Sequence, residues 1–377
     1  MTKTYLDFAS GAPLHPAARE VLIAAYEHGY ADPRRLHGPA RNARLLLDNA
    51  REACAEALGV RADEVTFTAS GTHAVHAGLL GLAAGRRRVS KRLVHSAVEH
   101  SAVLHAARWH ADRGGEVVEV PVDATGRVDP AAVVAAAAPG AAVVALQSAN
   151  HEVGTRQPVG EVAAALAAYD VPLFVDACAS AGRSPLPSGW AVAAASAHKW
   201  GGPAGVGLLL VRRGARWRPP FPVDERADER GIGFENVPGA LAAAAALQAV
   251  AADRDAAARQ HALVARLRDG VRASVPDVDV VGAEHDRLPH LVTFSCLYVD
   301  GEALVTELDR RGYAVASGSA CTASSLEPSH VLAAMGALTH GNVRVSVGRD
   351  TTDADVDGLL AVLPEVVTDL RRRAGIP

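Results

Sequence analysis

Stretches with the spacing of amphipathic helices alternate with short β-rich runs over the first 250 residues. The helical stretches include NARLLLDNAREACAEALGV and PVGEVAAALAAYD, and the β-rich runs include EVTFTAS, AAVVALQSAN, VPLFVDA and GVGLLLVRRG. This alternation is typical of βαβ units and predicts a mainly parallel sheet with helices on both faces. Because ligands of such sheets bind beyond the carboxyl ends of the strands, the polar residues that follow each strand are the candidates for chemistry.

The pattern changes after residue 250. A long helical stretch leads to HLVTFSC, EALVTELDRRGYAVASGSA and NVRVSVGRD, and the chain ends in another helical pattern. This mixture of helices and short strands predicts a second, smaller α+β domain. A chain of 377 residues is long enough for this arrangement and for a sizeable core.

Composition and charge narrow the classes of partner. The 38 basic and 42 acidic residues are spread along the chain and give a net charge of −4, which offers no electrostatic case for nucleic acid or a membrane surface. A small molecule or a protein partner is the better expectation. No signal-peptide pattern is present, and no run approaches the roughly 18 apolar residues of a membrane span, so we expect a cytoplasmic protein.

The four cysteines, Cys54, Cys178, Cys296 and Cys321, lie far apart and form no CxxC pair. This spacing disfavours a zinc ribbon and a disulfide scaffold, and no metal site is expected. In a reducing compartment each cysteine remains a free thiol. Cys54 lies in a helical stretch and Cys296 in a β-rich run, so both are expected to be buried.

Residues of distinct chemistry follow several of the predicted strands. They are Gly71, Thr72, His100, Asn150, Asp176, Ser196, His198 and Lys199. The helix that begins at Gly71 and Thr72 offers free backbone N–H groups and a hydroxyl, which suit a phosphate, although an ordinary helix cap has the same pattern. Parallel strands bring these residues to one edge of the sheet.

Lys199 follows the apolar segment WAVAAA, where an ammonium group is costly unless it is neutralised or used chemically. Pyridoxal phosphate needs an amine for its aldehyde, an anion for its ring nitrogen, a flat group over its ring and donors for its phosphate. Each residue alone has a commoner structural explanation. Their shared placement favours this cofactor, and an imine at Lys199 removes the cost of a bare buried charge.

An ordered set of motifs resembles the cysteine desulfurases of the class V aminotransferase group. The motifs are TASGTHAV, VEHSAV, SANHEVGTRQPV, FVDACAS, SAHKWGGPAGVG, GFENVPGA, ASGSACTASSLEPSHVL and NVRVSVGRDTT. The resemblance implies the α/β fold of fold-type I pyridoxal phosphate enzymes, with a mainly parallel seven-stranded sheet in a large domain at residues 15–250. It also implies a small α+β domain, made of residues 1–14 and 251–377, that carries the cysteine loop.

The resemblance also implies roles for individual residues in cofactor binding. Lys199 forms the imine with pyridoxal 5'-phosphate and moves the substrate Cα proton. Asp176 pairs with the ring nitrogen, and His100 stacks on the ring and assists proton transfer. The phosphate is held by Gly71, Thr72, Ser196 and His198.

For the substrate, the resemblance assigns Asn150 to cofactor and substrate contacts, Arg344 to the carboxylate, and Cys321 to the sulfur. Cys321 attacks the sulfur of bound L-cysteine, becomes a persulfide and leaves L-alanine. The implied protein is a homodimer that passes sulfur to an acceptor protein.

Three departures from the family pattern keep alternatives open, the first of which is FASGAP in place of the more usual NAATTP near the N-terminus. Ala179 replaces a glutamine that donates to the cofactor ring, and Phe234 replaces a threonine that reaches the phosphate of the neighbouring subunit. One alternative is another pyridoxal phosphate-dependent C–S or C–Se lyase, similar to selenocysteine lyase, for which Cys321 is dispensable. The other is a low-activity scaffold in a sulfur-transfer assembly.

Overall fold

Helices and strands alternate along the chain in the computed structural model, which describes residues 3–138, 140–223, 229–231, 233–317 and 328–376. The helices are α1 Pro16–His28, α2 Gly38–Leu58, α3 Gly71–Arg86, α4 Ser101–Ala111, α5 Pro130–Ala137, α6 Val159–Ala167, α7 Val237–Ala252, α8 Ala256–Ser274, α9 Gly301–Arg310, α10 His330–Met335 and α11 Asp353–Arg373. The strands are β1 Thr4–Tyr5, β2 Val65–Thr68, β3 Arg92–Ser96, β4 Glu116–Val120, β5 Val143–Gln147, β6 Leu173–Asp176, β7 Val192–Ser196, β8 Gly207–Val211, β9 Val278–Val281, β10 Leu291–Cys296, β11 Tyr313–Ala314 and β12 Asn342–Ser346.

The central sheet has seven strands in the order β2-β8-β7-β6-β5-β3-β4. The pairs from β4 to β7 are parallel, whereas β8 runs antiparallel to both of its neighbours, β7 and β2. The predicted mainly parallel seven-stranded sheet is therefore confirmed. The carboxyl ends of β3, β5, β6 and β7 all lie at the same edge.

Helices cover both faces of this sheet, which explains why its inner strands are apolar at nearly every position. Phe174 and Leu209 pack with α3 and α4 on one face, whereas Leu146 and Leu210 pack with α2, α5, α6 and α7 on the other. On α3, an added Cβ at Gly78 would lie 2.6 Å from the Phe174 ring, so this helix approaches the sheet more closely than a side chain allows.

A second core forms around the antiparallel sheet β12-β10-β9. Helices α8, α9 and α11 bury their apolar faces against it, and β1 pairs in parallel with β11. This packing supports the proposal of a large domain at residues 15–250 and a small one at residues 1–14 and 251–377. Helix α7 ends at Ala252, so the proposed boundary after residue 250 lies in the last turn of this helix, two residues before its end.

Residues 7–15, called here the N-terminal strap, connect the two cores. The N–H of Ala9 donates to Ser346 Oγ at 2.8 Å, next to β12. Further along, Ala12 N donates to the His198 carbonyl at 2.9 Å and His15 N to the Gly201 carbonyl at 2.8 Å. The strap therefore crosses the carboxyl edge of the central sheet, beside the end of β7.

No helix in the described ranges has both the length and the apolar character needed to cross a bilayer.

Candidate active site

One cavity of about 300 Å³ lies at the carboxyl edge of the central sheet, and eight of the ten predicted site residues line it. These eight are Gly71, Thr72, His100, Asp176, Ser196, His198, Lys199 and Arg344. Strand register explains the grouping, because Gln147 at the end of β5 is opposite Asp176 at the end of β6. The residues come from five separate segments of the chain, so the fold rather than local sequence brings them together.

The start of α3 approaches the sheet edge through two glycines. Gly207 begins β8 opposite both Thr68 and Ser196, and a Cβ there would lie 2.3 Å from the Ser70 backbone. A Cβ on Gly71 would lie 2.6 Å from Ser196 Cβ. Only glycine permits this approach, which brings the first backbone amides of α3 to the cavity.

Hydroxyl and imidazole groups complete this end of the cavity. Ser70 caps α3 by accepting from His73 N at 3.0 Å, and Thr72 lies on the cavity wall. Ser196 Oγ and His198 Nδ1 are hydrogen-bonded at 3.0 Å. Burial and the nearby Lys199 lower the pKa of His198 to about 4, so its ring is neutral at pH 7. Amides, hydroxyls and a neutral imidazole at a helix start form a donor set suited to a phosphate.

Lys199 lies in the one-turn 3-10 helix Ala197–Lys199, directly after β7. Its Nζ donates to the carbonyls of Ala9 and Ser10, at 2.6 and 3.0 Å. The strap therefore holds the ammonium group beside the cavity. Asp176 is 6% exposed, and its Oδ1 accepts from Cys178 N at 2.9 Å, which orients the carboxylate.

His100 is the N-cap of α4, and its Nδ1 accepts from the backbone N–H of Ala102 at 3.1 Å. In the neutral ring the proton is therefore on Nε2. Burial lowers the pKa of His100, Lys199 adds to this effect, and Asp176 opposes it. A neutral ring with one engaged nitrogen has a fixed orientation, which a residue that stacks on a flat ligand requires.

Arg344, on β12, lines the cavity, and its side chain is 5% exposed. Its Nη1 donates to the His151 carbonyl at 3.0 Å. Its Nη2 donates to Asp7 Oδ1 at 3.1 Å and to Ser10 Oγ at 2.6 Å. The strap thus fixes Arg344 as well as Lys199, and the Asp7 carboxylate compensates the buried charge.

Asn150, predicted to contact cofactor and substrate, has a fully buried side chain in this structure and is not among the residues that line the cavity. Its Nδ2 donates to the Val98 carbonyl at 3.0 Å, and its Oδ1 accepts from Glu152 N and Val153 N at 2.8 and 2.9 Å. The amide therefore stabilises the turn after β5. The next residue, His151, lies on the cavity wall.

Cys321, the predicted nucleophile, lies outside the described residues. Cys178 lines the cavity beside Asp176, where burial and that carboxylate raise the pKa of its thiol well above the ordinary value. The thiol therefore stays protonated. Sequence reasoning missed the contributions of His151, Ser10 and Gln147 to the wall. Only His151 had a signal in the sequence, its position directly after a strand end.

Comparison with known proteins adds to this geometry. The sequence model of the family described as Aminotransferase class-V matches residues 4–359. The chain belongs to this family. A relative in Mycobacterium tuberculosis, an IscS-like cysteine desulfurase, is 37% identical over 98% of both chains. Another, the cysteine desulfurase IscS of Dictyoglomus turgidum, is 33% identical over 98% of this chain and 95% of the relative.

Among solved structures, this family member resembles a NifS-like protein with a TM-score of 0.90. The similarity covers 98% of this chain and 100% of the other, at 27% sequence identity. The resemblance extends over both cores, and it confirms the predicted α/β fold of fold-type I enzymes.

Proposed function

We propose that the protein is a pyridoxal phosphate-dependent L-cysteine desulfurase, which removes sulfur from L-cysteine, leaves L-alanine and carries the sulfur on Cys321. The observation that carries the proposal is the convergence of Lys199, Asp176 and His100 with the start of α3 on one cavity. The near full-length similarity to relatives named cysteine desulfurase supports the same conclusion.

The residues present fit pyridoxal phosphate. The amides of Gly71 and Thr72, with the side chains of Ser196 and His198, would hold the phosphate, and a Cβ on Gly71 would clash with Ser196 in this group. The remaining three groups match the rest of the cofactor, namely Asp176 for the ring nitrogen, His100 for the ring face and Lys199 for the aldehyde. When bound, the cofactor supplies an electron sink that stabilises negative charge at the substrate Cα.

The chain's own groups then handle protons and orientation. Lys199 Nζ, positioned by the Ala9 and Ser10 carbonyls, moves the proton at the substrate Cα. His100 Nδ1 is occupied by the amide of Ala102, so only Nε2 is available to exchange a proton. Asp176, oriented by the Cys178 amide, would pair with the ring nitrogen and favour its protonated form.

Arg344 receives the carboxylate of L-cysteine, since its guanidinium faces the cavity from the opposite domain. Cys321 takes the substrate sulfur as a persulfide. In this transfer the thiolate forms an S–S bond, the substrate C–S bond breaks with its electrons retained on the carbon side, and protonation there yields L-alanine. The persulfide then passes to an acceptor protein, and a reducing compartment such as the cytoplasm would keep the thiols free for this chemistry.

A homodimer is part of the proposal. Ile23, Tyr26 and Tyr30 follow one another at spacings of three and four residues on α1 and just beyond it, and they are 62%, 65% and 67% exposed. Clustered exposed apolar side chains mark association surfaces. Sedimentation of Tyr26→Arg should show a monomer, whereas Tyr169→Arg, at an exposed tyrosine outside this face, should remain dimeric. If Tyr26→Arg remained a dimer like Tyr169→Arg, the result would contradict the proposed interface.

Turnover of L-cysteine by the purified holoenzyme tests the function. With excess thiol reductant we expect L-alanine and sulfide in equal amounts from the wild type, and a loss of at least 100-fold in Cys321→Ser, on the order expected when a nucleophile is removed. Cys178→Ser is the matched control and should retain most activity. Full activity of Cys321→Ser would instead support the C–S or C–Se lyase alternative, and a protein that binds no pyridoxal phosphate would support the scaffold.

A further inference from the structure

Ser10 joins the two charged groups of the cavity. It is exposed, and it lines the cavity wall from the N-terminal strap. Its carbonyl accepts from Lys199 Nζ at 3.0 Å, and its Oγ accepts from Arg344 Nη2 at 2.6 Å. This residue is 189 positions from Lys199 and 334 from Arg344, so the contact depends on the tertiary fold.

The hydroxyl of Ser10 retains a donor that it can offer to a ligand. A serine hydroxyl has one hydrogen and can accept two hydrogen bonds. Arg344 occupies an acceptor position, and within the described part of the chain no acceptor takes the hydroxyl hydrogen. A hydroxyl that accepts from a guanidinium is polarised and becomes a stronger donor.

The charge balance at Arg344 makes such a donor important. Asp7 Oδ1 accepts from the same nitrogen, Nη2, at 3.1 Å, so the pair Asp7–Arg344 carries little net charge. An incoming anion is therefore held less by net charge than by directed hydrogen bonds. Ser10 lines the cavity and its Oγ contacts Arg344, so the hydroxyl is within reach of a carboxylate held beside that arginine.

We propose that Ser10 is a substrate-recognition residue whose hydroxyl donates to the α-carboxylate of the amino acid beside Arg344. The inference rests on the proposed function, because it takes the substrate to be an α-amino acid. It assigns to the strap a direct part in specificity, in addition to its contact with Lys199.

Ligand binding to the holoenzyme separates this role from a structural one. L-Alanine carries the α-carboxylate, whereas 2-aminoethanethiol has an amine and a thiol but no carboxylate. For Ser10→Ala we expect about tenfold weaker binding of L-alanine by calorimetry, the scale of one charge-assisted hydrogen bond. Binding of 2-aminoethanethiol should change less than about twofold, and Ser10→Thr, which keeps the hydroxyl, should restore L-alanine affinity to within about threefold.

Tyr5→Phe is the matched control for a loosened strap. The single hydroxyl hydrogen of Tyr5 is shared between the Asp7 and Gly11 carbonyls, at 3.0 and 2.8 Å from Oη, and Tyr5 is not part of the cavity wall. Tyr5→Phe should change the affinities for L-alanine and for 2-aminoethanethiol by the same factor. In turnover, Ser10→Ala should raise KM for L-cysteine while kcat stays within about threefold.

Unchanged L-alanine affinity in Ser10→Ala, or an equal loss for both ligands, would overturn the inference. Failure of the proposed function has a different outcome. In that case the wild type produces no L-alanine from L-cysteine, while the dependence of L-alanine binding on Ser10 persists.

Discussion

The imidazole rings of His100 and His151 meet edge to face, with their centroids 4.9 Å apart. One ring caps the helix after β3, and the other follows β5, so their contact joins two strand ends at the cavity. Burial lowers the pKa of both rings, and the nearby His100 and Arg344 lower the pKa of His151 further. Two neutral rings can therefore lie beside the cations Lys199 and Arg344 without adding charge.

Two substitutions at His100 should separate its role as the N-cap of α4 from the role of its ring in the cavity. His100→Asn keeps an N-cap acceptor for α4 but removes the ring, so we expect stability within about 0.5 kcal/mol of the wild type and a large loss of kcat. His100→Phe keeps a flat ring but loses the acceptor for Ala102 N, so we expect about 1 kcal/mol lower stability. Urea unfolding of the holoenzyme, paired with turnover, checks both. Equal stability of the two variants would contradict the capping role.

The buried carboxyl of Glu99 should make stability depend on pH. Burial raises its pKa to about 8, although its Oε1 accepts from Ser96 Oγ at 2.6 Å and Gln147 N at 3.0 Å. Because the folded protein binds this proton more tightly than the unfolded chain, the contribution is fully present below the unfolded pKa. It is lost as pH rises through about 8.

Glu99→Gln stays neutral at every pH, so the difference in unfolding free energy between variant and wild type should move in favour of the variant as pH rises from 5 to 9. The upper limit is about 5 kcal/mol. Unfolding in urea at several pH values measures this difference. A constant difference would show that Glu99 is already ionised in the folded protein.

The helix α10 is held to the site by a buried hydrogen bond from Ser329 Oγ to Glu152 Oε2, at 2.6 Å. Ser329→Ala removes it and also the N-cap of α10, where Ser329 Oγ accepts from Leu332 N. We expect a loss of about 1–3 kcal/mol in urea unfolding. Ser274→Ala, at an exposed serine bonded to the Gly270 carbonyl, should be nearly neutral. Equal losses of stability in Ser329→Ala and Ser274→Ala would contradict a stabilising role of the buried hydrogen bond.

The sequence predicted most of the fold because long apolar strands between amphipathic helices leave few alternatives to a parallel sheet. It placed Asp176 and Lys199 correctly at strand ends of one cavity. It did not indicate that His151 lines the cavity, or that the Asn150 amide bonds the backbone of its own turn and of Val98, because both depend on how the turn after β5 folds. The contacts of Ser10 had no signal in the sequence, since they are made to residues far along the chain.

The described thiols should resist alkylation in the native protein. Burial raises the pKa of Cys54 to about 12 and of Cys296 to about 11, and Cys178 is raised well above its ordinary value. Since the thiolate is the reactive form, iodoacetamide at pH 8 should leave all three unmodified until the protein is denatured, whereas the proposed nucleophile Cys321 should react. Peptide mass spectrometry identifies the sites. Rapid modification of Cys178 in the native protein would contradict the assigned environment.

The most direct test of the account is to locate the lysine that binds the cofactor. The sequence contains three lysines, Lys3, Lys91 and Lys199, of which Lys3 and Lys91 are exposed. Borohydride reduction of the holoenzyme, followed by digestion and mass spectrometry, should show the phosphopyridoxyl group on the Lys199 peptide alone, and Lys199→Ala should show none. A group on Lys3 or Lys91 instead, or no group on any of the three, would contradict the account.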